Sequence, residues 1–387
     1  MQTDVLSALG LVLAAAIMNA TYTLPMKLNR EWKWEHSWLA FTILGVVGVP
    51  AVITMSTVPG LWSIYSRTPA ATLFAMALFG AGWGVSMIFF GLALSLVGVA
   101  LTFTISLSTS AASGALLPFI GNHPERLFTA QGAVLIAGIL LIFAGVALCG
   151  LAGKQRDQGT SEVPGSGRGG FVRGFLFALI SGVLGSLLNL GLAYGGGIQA
   201  AARDNGASMV MTSNAVWLPC VSAGFVPGVI YCLYLMKKNE TDGDMIRHSR
   251  WYYWLSAICM GLLWYGSVLL YSLSASYLGS AGTSIGWPLF LSAIVVMSTV
   301  VGVLTGEWKV RLHGPFRTLV AGLAFLVAAI TVLSIAGRMP RPGPENRSSS
   351  RWMNRLRPGA SATAPHYAPS LPVRSAQDGT DARGPGT

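Results

Sequence analysis

The stretch WGVSMIFFGLALSLVGVALT, residues 83–102, lies inside an uncharged run that extends from residue 68 to residue 124. A helix of about 20 apolar residues crosses the roughly 30 Å hydrocarbon core of a bilayer, so this run holds two crossings. We therefore predict an all-α membrane protein with ten transmembrane helices. Its apolar runs lie near 5–25, 37–58, 70–96, 97–120, 129–151, 171–195, 208–236, 251–274, 277–305 and 316–337.

The quoted stretch has a second copy, WYGSVLLYSLSASYLGSAGT at 264–283, which matches it at seven of twenty positions. This repeat alignment, which places Trp83 on Trp264, joins the third span to the eighth and the start of the fourth to the ninth. Five spans per copy is an odd number, so the second copy enters the membrane upside down. Inverted repeats are a common plan of secondary transporters, with substrate bound near the midplane between the halves. The predicted organisation is a first five-helix repeat at 1–151, a cytoplasmic linker at 152–170, a second five-helix repeat at 171–337 and a disordered basic tail at 338–387.

Composition places the chain outside the soluble classes. It is 53% hydrophobic and 10% charged, whereas soluble domains carry about 25% charged residues. The net charge of +11 does not predict nucleic-acid binding, because the basic residues lie in connectors, at span ends or in the tail. Alternate connectors hold fourteen and three Lys or Arg. By the positive-inside rule, the basic connectors are cytoplasmic and the N-terminus is extracytoplasmic, in a bacterial inner membrane.

The sequence predicts neither an enzyme nor a cofactor or metal protein. We find no P-loop, HExxH, GxSxG or Asp-rich motif, so no catalytic or metal-binding residue is assigned. The four cysteines show no CxxC spacing, which gives no disulfide framework and no zinc site. The short segment before the first run has no basic residue and no cleavage site follows it, so we expect this run to be retained as a span.

Neutral hydrogen-bonding groups and aromatic faces inside the spans predict a binding site for a sugar, which presents hydroxyls and an apolar C–H surface. Ser, Thr and Asn in membrane helices also bond neighbouring helices, and that alternative stays open for each of them. The candidate substrate-binding residues are Asn19, Tyr22, Trp83, Ser86, Asn189, Asn214, Trp264, Tyr265, Thr283 and Trp287.

Three stretches resemble the L-rhamnose–proton symporter family. They are PMKLNREWKWE at 25–35, LFGAGWG at 78–84 with the glycines that follow, and Gly306–Trp308 after the ninth span. The resemblance extends over roughly residues 5–337. It implies a ten-span carrier of the drug/metabolite transporter superfamily that takes up a deoxy-sugar with a proton by alternating access, and it agrees with the internal repeat.

One departure from the family concerns proton coupling. The resemblance implies a carboxylate early in the ninth span, where this chain has Thr283. We place no Asp or Glu in the middle of a span and all five histidines in connectors or the tail, although proton-coupled carriers usually need a titratable intramembrane group. Coupling through Glu35 or Glu307 at the membrane edge, sodium coupling and facilitated diffusion of this or another small metabolite remain open. Lys27 and Glu35 are further candidates for a cytoplasmic gate.

Overall fold

The computed structural model describes residues 4–122, 124–157, 168–279, 282–304 and 313–339. Over these ranges it is all-helical, with no strand, and ten helices are long and apolar enough to cross a membrane. The all-α class and the ten spans predicted from the sequence are thereby confirmed. The spans are α1 (Val5–Leu28), α2 (Trp34–Thr57), α3 (Ala70–Gly98), α4 (Leu101–Gly121), α5 (Ala130–Gly153), α6 (Gly169–Tyr194), α7 (Asn214–Lys238), α8 (Trp251–Tyr277), α9 (Gly282–Leu304) and α10 (Gly314–Ala336).

The first helix shows how local sequence sets helix ends. The Asp4 carboxylate accepts hydrogen bonds from the backbone N–H of Ser7 at 3.1 Å and from its hydroxyl at 2.6 Å, and so satisfies N–H groups that the first turn leaves free. The same bonds hold the pKa of Asp4 below its ordinary value. At the other end, regular α-helix stops at Thr21 and a 3₁₀ turn, Leu24–Leu28, begins with Pro25 in its first turn.

Two spans are interrupted within the membrane. In α2, a π-helical segment, Phe41–Gly48, separates the α-helical parts Trp34–Ala40 and Val49–Thr57. The π-helical segment ends two residues before Pro50, which has no backbone N–H to donate to the preceding turn of a regular helix. In α6, the helix divides at Ser186. Helix α2 is the second span of the first predicted repeat, and α6 is the first span of the second predicted repeat.

Gly98 and Gly279, which the repeat alignment places on one another, have the same unusual backbone. Their φ angles are 79° and 77°, values that L side chains rarely adopt and glycine adopts freely. Gly98 ends α3 and Gly279 follows α8, so each glycine lies between the third and fourth spans of its predicted repeat.

Helix packing falls into matched pairs. Helix α1 packs on α8 and α9 as α6 packs on α3 and α4, and α2 packs on α8 as α7 packs on α3. Two glycine contacts make the last two crossings close. A Cβ atom on Gly45 of α2 would lie 2.9 Å from the Cα of Gly261 in α8, and one on Gly224 of α7 would lie 2.7 Å from the carbonyl oxygen of Gly80 in α3. Small residues let helix backbones approach closely in lipid.

Some boundaries differ from the sequence-based expectation. Helix α2 begins at Trp34 rather than near 37, and α7 begins at Asn214 rather than near 208, since residues 209–213 form turns. Helices extend to Asp157 and resume at Arg168 inside the expected linker, and the rest of that linker, 158–167, lies outside the described residues, as does the tail from residue 340. Short helices in the connectors are Leu61–Arg67, Pro124–Phe128, Gly196–Asp204 and Asp244–Arg247.

Candidate substrate-binding site

An aromatic cluster lies halfway along the spans. The rings of Trp83 in α3 and Trp264 in α8 stack on each other, with centroids 5.5 Å apart and planes 22° apart. These are the tryptophans that the internal repeat matches, and each lies at the same distance along the chain from the first residue of its helix. Phe41 of the π-helical segment meets Trp264 edge-on at 6.4 Å, and Tyr22 lies 5.7 Å from Phe41. The structure thus brings three predicted site residues into one aromatic surface.

Repeat-matched serines lie one turn beyond the tryptophans. Ser86 and Ser267 each donate a hydrogen bond to the carbonyl of the tryptophan three positions earlier, both at 2.6 Å. Asn19 of α1 donates from Nδ2 to the Ser267 hydroxyl at 2.9 Å. The side chain of Ser86 therefore bonds its own helix, whereas Asn19 joins two helices.

Asn189 lies at the centre of a buried polar network. Its amide nitrogen donates to the carbonyls of Gly114 at 2.8 Å and Thr283 at 3.1 Å, and its oxygen accepts from the Tyr271 hydroxyl. Nearby, Trp287 donates from Nε1 to the Ser110 carbonyl at 3.0 Å, and its ring meets that of Tyr271 edge-on at 5.4 Å. In this conformation the amide of Asn189 is satisfied by α4, α8 and α9, so its bonds join helices.

Asn214 forms a second network at the first turn of α7. Its amide nitrogen donates to the Thr57 hydroxyl at 3.0 Å, and its oxygen accepts from the Tyr265 hydroxyl at 2.7 Å. The Tyr65 hydroxyl donates to the neighbouring Ala215 carbonyl at 2.9 Å. The first turn of α7 is thus fastened to the end of α2 and to the middle of α8.

The first turn of α2 carries a carboxylate. Glu35 is 5% exposed and its Oε1 accepts hydrogen bonds from Asn239 Nδ2 and Thr241 Oγ1, both at 3.0 Å. His36 is fully buried, with Nε2 2.9 Å from the Thr241 carbonyl and Nδ1 accepting the backbone N–H of Lys33 at 3.2 Å. Placing this histidine in a connector was wrong, because the helix begins before it, at Trp34.

Further contacts join the same two connectors. Glu31 pairs with Arg250 at 3.1 Å, and this hydrogen-bonded carboxylate raises the pKa of the arginine. The indole of Trp32 donates to the Met245 carbonyl at 3.1 Å and its ring packs on Tyr253. The α1–α2 connector is thereby closed against the α7–α8 connector.

The remaining predicted residues do not join these clusters in one place. Lys27 lies exposed in the 3₁₀ turn that ends α1, and Glu307 lies outside the described residues. The Thr283 side chain is half-buried at the second position of α9, beside the Asn189 network. The predicted set therefore divides into an aromatic surface around Trp83 and Trp264 and two networks centred on Asn189 and Asn214.

Sequence reasoning missed Phe41 and His36, although a further signal was available. A second alignment of the chain with itself places Trp38-Leu39 on Trp217-Leu218 and Gly45 on Gly224, and so matches the start of α2 with the start of α7. This second alignment also places Glu35 on Asn214. Glu35 fastens the first turn of α2 to the connector after α7. Asn214 fastens the first turn of α7 to the end of α2.

Comparison with known proteins gives a consistent result. Residues 2–337 match the sequence family described as "L-rhamnose-proton symport protein (RhaT)". A protein of Pectobacterium carotovorum subsp. carotovorum named L-rhamnose-proton symporter is 25% identical over 325 residues, 82% of this chain and 93% of that protein. One of Escherichia coli O1:K1 / APEC with the same name is 23% identical over 332 residues, 84% and 95% of the two chains. A solved chain titled "Crystal structure of protein" shares the fold, with a TM-score of 0.54 at 19% identity over 86% of this chain and 98% of that one.

Proposed function

The chain belongs to the L-rhamnose-proton symport protein family, and from this premise we propose that it imports a neutral sugar, L-rhamnose first, together with a proton. The curated relatives carry that activity in their names. The composition accords with it, because an uncharged sugar needs aromatic faces and neutral hydrogen-bond partners rather than charged side chains.

The stacked pair of Trp83 and Trp264 is the observation that carries the proposal. The two rings come from matched positions of the two copies and meet halfway along the spans, where inverted-repeat carriers bind substrate. Sugar C–H surfaces pack well on indole faces, and Tyr22 with Phe41 extends the same surface. We assign Trp83, Trp264 and Tyr22 to the sugar's apolar face. Asn19, Ser86, Asn189, Asn214, Tyr265, Thr283 and Trp287 remain candidate partners for its hydroxyls or for the helices that frame the site.

Two inverted repeats, 1–151 and 171–337, would supply alternating access. The matched helix pairs, the similar φ angles of Gly98 and Gly279 and the stacked tryptophans support this arrangement. Exchange of conformation between the two copies would then convert a state open to one side into a state open to the other.

The proposal places the carrier in a bacterial inner membrane with the N-terminus extracytoplasmic. Fourteen Lys or Arg against three on alternate connectors support that orientation. The α1–α2 and α7–α8 connectors are then cytoplasmic, and the structure described is closed at that face. A proton is the coupling ion, sodium being the less favoured choice, and the activity requires neither a cofactor nor a catalytic residue.

Uptake of labelled L-rhamnose into proteoliposomes, with and without an imposed inward proton gradient, tests the function. We expect saturable uptake that rises with the gradient. Trp83→Ala and Trp264→Ala are expected to lose most of it, whereas Trp62→Ala, which removes an exposed indole from the α2–α3 connector, leaves it unchanged. Folded wild-type protein without saturable uptake would refute the assignment to L-rhamnose.

Thr283 favours a second candidate, a facilitator of this or another small metabolite without proton coupling. The residue lies beside the Asn189 network in α9, where the family resemblance implies a carboxylate. Saturable uptake that ignores the gradient would support this candidate.

A further inference from the structure

We propose that Glu35 is the proton-binding group of this carrier, and that it makes the cytoplasmic gate proton-sensitive while the opposite gate is not. The inference rests on the proposed function and supplies what that function lacks, a titratable group. Among the ten described spans, Glu35 is the only Asp or Glu and His36 is the only His. A buried ionisable residue in a membrane span marks a functional site by default.

The position of Glu35 connects its charge to the gate. Glu35 lies in the first turn of α2 and its two donors, Asn239 and Thr241, lie in the connector that follows α7. These bonds join the two halves of the protein at the face where the connectors meet. An ionised carboxylate accepts hydrogen bonds about twice as strongly as a neutral acceptor, so ionised Glu35 holds this face closed.

The groups around Glu35 leave it as the one that exchanges a proton. His36 accepts the Lys33 N–H with Nδ1, and its Nε2 lies 2.9 Å from the Thr241 carbonyl, so both ring nitrogens have partners other than Glu35. On α7, the thiol of Cys232 lies within electrostatic reach of Glu35. The charged neighbours Lys237 and Asp242 pair with each other, as do Glu31 and Arg250.

The opposite gate has the same plan without a titratable group. Asn214, which the second alignment places on Glu35, fastens the first turn of α7 to Thr57 at the end of α2. Its other partner is the Tyr265 hydroxyl. An amide does not ionise in the physiological range, so this gate opens and closes independently of proton concentration.

Glu35 takes up and releases one proton in each transport cycle. With the bundle open to the outside, the Glu35 carboxylate takes one proton from water and becomes the neutral acid, which weakens both bonds from the α7–α8 connector. The cytoplasmic face then opens with sugar bound, and Glu35 returns the proton to cytoplasmic water before the bonds reform. Because the closed face binds the ionised form, acid shifts the equilibrium toward opening by linkage. We expect that shift to be on the order of tenfold or more, given two charge-assisted bonds.

The test compares gradient-driven accumulation of L-rhamnose with its equilibrium counterflow in proteoliposomes of the full chain. For Glu35→Gln, which keeps an acceptor oxygen, we expect counterflow within about threefold of wild type and independent of pH, with accumulation reduced to the level seen without a gradient. Glu240→Gln is the matched control, since it removes an exposed carboxylate that lies between the two donors of Glu35 along the chain, and it should accumulate sugar like wild type. Accumulation by Glu35→Gln at the wild-type level overturns the inference.

A second variant keeps the inference testable if Glu35→Gln does not fold. Thr241→Val preserves the carboxylate and the side-chain shape but removes one donor to the ionised form. We expect it to move the pH midpoint of uptake upward, by about one unit. An unchanged midpoint would overturn the inference. Failure of wild-type protein to take up L-rhamnose at all would instead refute the proposed function, so the two failures are distinguishable.

Discussion

Alanine at Gly45 or at Gly224 is expected to push apart the helices at two crossings. The second alignment of the chain with itself relates these two glycines. At Gly45, the added Cβ would lie 2.9 Å from the Cα of Gly261, on the backbone of α8. At Gly224, it would lie 2.7 Å from the Gly80 carbonyl oxygen and 2.8 Å from Cε3 of Trp83. Backbone atoms cannot rotate away as a side chain can, so the helices themselves must separate.

The magnitude follows from these distances. Non-bonded carbon atoms pack at about 3.5–4.0 Å, so the crossing of α2 and α8 must widen by roughly 0.6–1.1 Å. Overpacking of this kind destabilises a core by about 1–3 kcal/mol. Replacing a helical glycine by alanine also gains about 0.5–1 kcal/mol, and a control must share that gain. Gly10 of α1 provides it, because its Cβ would meet nothing within 4 Å.

The assay is the free energy of unfolding from denaturant titration in detergent micelles, with labelled-sugar uptake measured alongside. We expect Gly45→Ala and Gly224→Ala to be less stable than Gly10→Ala by about 1–3 kcal/mol each, and to lose uptake to a similar degree. Equal stability of all three variants would show that neither crossing is tight. A loss confined to one variant would refute the equivalence of the two crossings.

Three further predictions concern single contacts. Tyr271→Phe leaves the buried Asn189 oxygen without its donor and should lower the free energy of unfolding by about 1–3 kcal/mol, measured by the same titration. Gly98→Ala forces an L side chain to a φ of 79° and should lower the free energy of unfolding by a similar margin, about 1–3 kcal/mol. Wild-type stability of this variant would show that the position is not strained. Hydrogen bonds from Ser7 lower the pKa of Asp4. The capping contribution of Asp4 to stability is therefore complete above its ordinary pKa and is lost as the pH falls through the lowered pKa. Amide exchange in the first turn of α1 should therefore accelerate below about pH 4, and Asp4→Ala should abolish that dependence.

The fold was largely predictable because membrane helices obey one dominant constraint. Uncharged runs of sufficient length must be helical to satisfy their backbone in lipid, and this fixes both class and number of spans. Gly98 and Gly279 were recognisable as breaks because a matched glycine at the end of a span signals an unusual φ. The start of α7 was misplaced because residues 208–213 are apolar enough to continue the run, while residues 209–213 form turns.

The candidate site was predictable in its residue types but not in its grouping. The matched tryptophans were visible in the sequence, and their stacking was not, because contact between two copies depends on how the helices cross. Glu35 stood out as a carboxylate at the membrane edge. Its donors, Asn239 and Thr241, lie in the other half of the chain, and nothing local marks them. Hydropathy placed His36 outside the span because it weighs residue types and not the capping of the first turn.

The asparagines of the proposed site impose a condition on how a sugar can bind. Asn19, Asn189 and Asn214 each bond a side chain or carbonyl of another helix in the conformation described. A sugar hydroxyl that uses one of these amides must displace a helix contact, so the bond contributes to affinity chiefly where the helices have already separated. A ligand shifts a conformational equilibrium only by its differential affinity for the two states. Amides shared between helix contacts and substrate would therefore couple sugar binding to opening, while Glu35 couples the proton to the same movement at one face.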